Sequence, residues 1–346
     1  MEVVAAPRIT GRLVVRWAVG LVVGAVVLVV LFSHRGDFAG ASHRLTHLRA
    51  PDALAALAAE ALSLACYASL QRVVLASGGA RLGFGGLYAI TLANDAIALS
   101  VPGEPAVSSV YRYRQYRRRG ASASASAWAI VTVLVAQAIG LSLVLIAAIL
   151  IALLGGSSHV GPGVTGVALV VVVGAGVVLA RRDLVVGLLE ASVRAARRLT
   201  GRPRGRLGER VDATLASMRA ITLGRRAAAA SIGLAMGLWL ADAGCLLAAL
   251  GAVGARVPWA GLLLAYGVSQ VVAVLPIAPG GLGVVEGSLT VVLVAYGAAR
   301  VPALSAVLVY RLANYWLPIA LGWATAGGLA LSRRRAVTAT GALEGD

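Results

Sequence analysis

Apolar residues run in long, nearly unbroken blocks along this chain, and polar residues gather in the gaps between them. A helix needs about 20 apolar residues to cross roughly 30 Å of hydrocarbon. Nine blocks approach that requirement: 13–32, 53–76, 82–101, 127–154, 164–180, 227–253, 259–275, 282–296 and 302–331. They predict an all-α polytopic membrane protein. Two Pro/Gly breaks stand out against this pattern, Val101-Pro-Gly-Glu-Pro105 and Pro276-Ile-Ala-Pro-Gly-Gly-Leu-Gly283. Each follows a block short enough to turn back within a membrane.

Composition sharpens the class. The chain has 59% hydrophobic and only 13% charged residues, about half the charge of an ordinary soluble domain. Gly is frequent, at 42 residues, which suits close helix packing in lipid. The formal charge is +17, and all 31 basic residues are Arg. The arginines lie between apolar blocks, so they predict cytoplasmic loops and no nucleic-acid partner. Cys66 and Cys245 lie inside apolar blocks and read as packing residues, with no disulfide framework.

Charge then selects a topology. Arg clusters occur at 112–119, at 181–226 and at Arg333–Arg335, and all should face the cytoplasm. If every block spans, the first of these clusters falls outside. If the two Pro/Gly breaks are turns of re-entrant helices, all three fall inside. The expected architecture is about six full spans plus two re-entrant helical hairpins arranged as inverted repeats, with both termini cytoplasmic. Arg35, Arg44 and Arg49 then lie outside. Residues 1–160 form the first repeat, with its turn near 101–105. Residues 161–335 form the second, with its turn near 276–283. Within it, 181–226 is an Arg-rich amphipathic linker on the inner leaflet, and 336–346 is a short cytoplasmic tail. The block at 13–32 reads as a retained signal anchor, although Ala39-Gly-Ala41 offers a cleavage pattern.

Ionisable residues inside apolar spans are costly and therefore mark candidate sites. Glu286 ranks first, in the first turn of the helix after Pro279, Gly280, Gly281 and Gly283. There it either braces the turn through the helix dipole or faces a headgroup path. Arg311 is its natural partner, with Asn314 and Tyr315 completing the hydrogen bonds of Arg311. Asn94 and Asp95 form the first-half counterpart, joined by Arg112, the arginine nearest the first turn. Glu60 and Asp242 each stand alone in a long span and carry less weight. Arg72 snorkels from a span end. His43 and His47 lack a carboxylate motif, and no catalytic, metal or cofactor signature occurs. The expectation is therefore no enzyme and no cofactor.

Pro276-Ile-Ala-Pro-Gly-Gly-Leu-Gly-Val-Val-Glu-Gly-Ser-Leu289 resembles the Pro-Gly-Gly-x-Gly-x-x-Glu segment of the lysylphosphatidylglycerol synthase transmembrane domain family. Tyr310-Arg-Leu-Ala-Asn-Tyr-Trp-Leu-Pro-Ile319 is similar to that family's final-helix pattern, and Val101-Pro-Gly-Glu-Pro105 with the Tyr/Arg run and Gly120 resembles its first-half counterpart. The resemblance implies a flippase-like membrane domain, with Glu286 and Arg311 at motif positions. It looks like a stand-alone bacterial member without the soluble aminoacyltransferase domain.

The leading expectation is an inner-membrane lipid transporter that moves a phospholipid or lipid-linked envelope precursor, its substrate anionic or lipid-linked. A non-transporting scaffold for a cell-envelope enzyme is the alternative. A membrane-embedded transferase acting on a polyprenyl-linked substrate is the weaker one. The protein partners left open are a second copy of the chain and a cell-envelope enzyme.

Overall fold

The computed structural model describes residues 46–100, 104–154, 221–273 and 281–328. The blocks at 13–32 and 164–180, the linker up to residue 220, the tips of both Pro/Gly breaks and the C-terminal tail lie outside the described residues. Eight helices and no strand occur among the described residues. They are α1 (Ala50–Ser77), α2 (Phe84–Ser100), α3 (Glu104–Arg118), α4 (Ala123–Leu154), α5 (Arg225–Ala252), α6 (Trp259–Ala273), α7 (Val284–Ala295) and α8 (Arg300–Gly328).

Four of these, α1, α4, α5 and α8, are long and apolar enough to cross a membrane. At about 1.5 Å per residue a 28-residue helix measures roughly 42 Å, more than the hydrocarbon thickness. The other four are short. The sequence reading anticipated α2, α6 and α7. It took the Tyr/Arg run after the first break for an interfacial segment, whereas that run forms helix α3. In α3 Arg114, Arg117 and Arg118 are exposed, Arg112 is half-buried, and Gln115 and Tyr116 are buried.

The short helices come in antiparallel pairs. A side chain added at Gly86, near the start of α2, would lie 3.5 Å from Arg119, just past the end of α3. Gly261, near the start of α6, leaves room for Tyr296 at the end of α7, whose Cβ would be 2.4 Å from any Cβ added there. Each pair therefore brings the start of its first helix beside the end of its second.

The same element order occurs twice: long helix, short pair, long helix. Even the chain reversals match. α1 ends with Gly79 at φ 82° and an Ala80 N–H to Leu75 O bond of 2.9 Å, and α5 ends with Gly254 at φ 66° and an Ala255 N–H to Leu250 O bond of 2.9 Å. After α3, Gly120 at φ 91° is followed by an Ala121 N–H to Tyr116 O bond of 3.1 Å. After α7, Gly297 at φ 95° is followed by an Ala298 N–H to Leu293 O bond of 3.0 Å. These are glycine-capped helix ends, where a left-handed residue lets the backbone satisfy the last carbonyls.

The two halves meet along α1 and α5. A methyl group on Gly251 would lie 3.2 Å from Asp52 Cγ, one on Gly244 3.9 Å from Ala59, and one on Gly237 3.3 Å from Cys66 Sγ. The partners descend as the glycines rise, so the helices are antiparallel. The seven-residue spacing keeps the small residues on one seam, and the missing side chains let the backbones approach. Two apolar cores flank this seam. Leu70, Leu75, Leu87, Ile90 and Tyr116 anchor one, and Leu246, Leu250, Tyr266, Leu289 and Tyr310 anchor the other.

Candidate functional site

The strongest sequence candidates do form a pair. Arg311 Nε donates to Glu286 Oε1 at 2.6 Å. The Gly283 N–H donates to Glu286 Oε2, also at 2.6 Å. Glu286 sits in the first turn of α7, where the exposed N–H groups favour a carboxylate. One oxygen thus braces the turn and the other holds Arg311. Gly283 and Gly281 have φ of 81° and 66°, a conformation that side chains resist. A Cβ on Gly281 would also strike Val285 at 2.7 Å. Pro279 and Gly280 lie outside the described residues.

Arg311 also packs against an aromatic ring. Its guanidinium lies 4.2 Å from the centre of the Tyr315 ring, a stabilising cation–π arrangement. The Tyr315 hydroxyl donates to Leu99 O at 3.1 Å, which ties α8 to the last turn of α2. Gly322 seals the same contact: a side chain there would overlap Leu92 O at 2.1 Å.

Arg311 is followed by a π-helical turn, Leu312–Trp316. Pro318 supplies a physical reason. It has no N–H, and its ring would press on the carbonyl four residues earlier, that of Asn314. Widening the turn relieves that conflict, and such turns recur at functional positions.

The π-turn also moves Asn314 away from the role expected for it. Rather than serving Arg311, its Nδ2 donates to Asp242 Oδ1 at 2.9 Å and reaches Glu60 Oε2 at 3.4 Å. Asp242 Oδ2 accepts from Tyr266 OH at 2.8 Å, Gln270 Nε2 at 3.0 Å and Tyr310 OH at 3.2 Å. Glu60 and Asp242 are each 5% exposed, and the one Asn314 amide reaches an oxygen of each. The sequence reading held these residues to be solitary, and the structure corrects it. They face one another from antiparallel helices of opposite halves. The missed residues are Tyr266, Gln270 and Tyr310. The available signal was a polar side chain on each apolar helix near the Pro/Gly break.

The first-half candidates form a separate group. Arg112 Nη1 donates to Tyr67 OH. Tyr116 OH donates to Gln71 Oε1, and Gln71 Nε2 donates to Thr91 Oγ1 at 2.8 Å. Asp95 lies within electrostatic reach of both Tyr67 and Glu60. Asn94 is buried, and its Oδ1 has no hydrogen-bond partner among the described residues. The structure therefore does not join Asn94, Asp95 and Arg112 to the Glu286–Arg311 pair directly. Glu60, Asp242 and Asn314 stand between them. Among the described residues no group of three His, Cys, Asp or Glu side chains is placed to hold a metal ion.

At one end of the bundle, Arg72, Arg81, Arg114, Arg117, Arg118, Arg225 and Arg226 are exposed together. Arg72 lies near the end of α1, Arg81 between α1 and α2, Arg114, Arg117 and Arg118 near the end of α3, and Arg225 and Arg226 at the start of α5, so the antiparallel geometry collects them on one face.

Against known families, residues 17–322 match the family model described as lysylphosphatidylglycerol synthase TM region. No curated protein matches the chain.

Proposed function

The chain belongs to the lysylphosphatidylglycerol synthase transmembrane-region family and is a multi-pass membrane protein, and from that premise we propose that it carries a lipid headgroup across the bacterial inner membrane. The observation that carries this reading is the line of buried polar groups along the seam between halves. It runs from Arg112 and Tyr67, past Asp95, to Glu60, Asp242 and Asn314, and on to Arg311 and Glu286. Polar groups this deep among apolar helices are costly unless they serve a passage.

Two features support an inverted-repeat arrangement. The antiparallel α1–α5 seam and the repeated order of elements are what two oppositely inserted copies would leave. The closed α2–α3 and α6–α7 pairs are read as re-entrant hairpins. α2–α3 enters from the face bearing the clustered arginines, which is the cytoplasmic one, and α6–α7 enters from the opposite face. The chain acts without chemistry of its own on the lipid. Arg311 and Arg112 contact the headgroup phosphate, and Glu286 holds Arg311 in place until the phosphate replaces it.

Lipid mass spectrometry on protein purified in mild detergent tests this reading, with Glu286→Gln and Arg311→Ala alongside. One lipid class enriched over the bulk membrane, and lost in both variants, supports the path and names the cargo. Bound lipid that mirrors the membrane and ignores both variants removes the reading. Topology is checked by placing cysteine at Arg117 in a chain lacking Cys66 and Cys245. Labelling from the periplasmic side would overturn the re-entrant assignment.

A further inference from the structure

We propose that Glu60 and Asp242 share one proton, and that this proton latches the two halves together, so that its release and uptake open and close the seam. The consequence for transport rests on the reading above; the chemistry of the latch does not.

The geometry calls for a proton. Asn314 Nδ2 reaches an oxygen of each acid, so two buried carboxyl groups lie on either side of a single neutral amide. Two like charges in a low-dielectric interior do not both ionise while they remain close together. Such a pair titrates as a unit.

Among the described residues, no side chain bonded to the pair is a cation. The donors to Asp242 are two phenols and two primary amides, all neutral. Arg311, the nearest cation on α8, has its Nε on Glu286. The titratable groups facing the pair are Tyr88 and Asp95 of α2, Cys245 of α5, Tyr266 of α6 and Tyr310 of α8. Asp95 adds negative charge rather than removing it. α4 carries no titratable residue. A shell of amide N–H groups suits carboxylate oxygens and repels a metal cation.

The position makes the proton consequential. Glu60 belongs to the first half and Asp242 to the second. Asn314 touches both from the π-turn. When the O–H bond of the shared carboxyl breaks, the proton passes to water and two carboxylates remain. They repel across the α1–α5 seam. As they move apart, the Asn314 amide can keep only one of them. The closed seam holds the proton, so raising pH weakens it and lowering pH restores it.

The test uses the full-length protein in nanodiscs, with carbon-13 in the aspartate side-chain carboxyls. Infrared titration should show a protonated carboxyl at neutral pH that is lost in one step as pH rises, with both label-shifted and unshifted components. In E60Q and in D242N the step should vanish or move by at least one pH unit. Two permanently ionised carboxylates, or a step unchanged by both variants, overturns the latch. The labelled wild-type titration decides the point even if neither variant folds.

Coupling is read in vesicles of phosphatidylethanolamine and phosphatidylglycerol carrying tail-labelled fluorescent phosphatidylglycerol. A pH gradient should change the rate of lipid movement by about fivefold or more, and E60Q should abolish that response. Movement that ignores the pH gradient, or follows a sodium gradient instead, overturns the coupling. No lipid movement under any condition counts against the transport reading, while the infrared result still judges the shared proton.

Discussion

In the first half of the bundle, Tyr67, Gln71, Thr91 and Tyr116 form a hydrogen-bond group of neutral side chains with Arg112 at its edge. In the second half, Tyr266, Gln270, Tyr310 and Asn314 converge on the Asp242 carboxylate. The backbone repeats almost element for element, down to the glycines that end α1 and α5 and those that follow α3 and α7. The buried chemistry does not repeat. A repeated scaffold thus accommodates one half whose buried group is neutral, with Arg112 at its edge, and another whose group centres on the Asp242 carboxylate.

The sharpest way to break the comparison is to remove its acidic centre. Asp242→Ala leaves Tyr266, Tyr310, Gln270 and Asn314 as buried donors without their acceptor. An unsatisfied buried polar group costs about 1–3 kcal/mol, so the expected loss is about 3 kcal/mol or more. Thermal unfolding in detergent checks it, and a shift no larger than that of an exposed substitution would deny the network its role.

The neutral half should be less sensitive. Gln71→Leu removes the acceptor of Tyr116 and one donor to Thr91, with a cost of about 2 kcal/mol. If Gln71→Leu proves worse than Asp242→Ala, the contrast between the halves has been drawn the wrong way round.

Glu286→Gln separates brace from passage. The amide keeps an oxygen for the Gly283 N–H but loses the ion pair with Arg311, so stability should fall by about 1 kcal/mol. Lipid movement in vesicles should fall about tenfold or more. Equal losses in stability and movement would reduce Glu286 to a structural brace.

The smallest effects test the repeat itself. Gly79→Ala and Gly254→Ala each force a side chain into a left-handed conformation, at about 1 kcal/mol. The two should match, because the two helix ends are built alike. A large inequality in unfolding temperature would argue that the halves are not equivalent in packing.

Much of the fold was legible from the chain alone. Apolar block length placed α1, α2 and α4–α8 within a few residues, because a lipid-facing helix must be apolar along its whole length. The Pro/Gly breaks marked where the short pairs turn, and Glu286 with Arg311 was foreseen as a pair. Helix α3 was missed because its arginines masked a helical run in which Ser108, Gln115 and Tyr116 are buried. Glu60 and Asp242 looked solitary because nothing local connects positions so far apart in the chain. Their meeting depends on a glycine seam that brings α1 and α5 close and antiparallel. The reassignment of Asn314 depends on a π-turn forced by Pro318 in its packed setting. Hydrophobic pattern is a property of each segment and can be read one segment at a time. Which buried polar groups satisfy one another is a property of the packed helices together, and only the tertiary structure decides it.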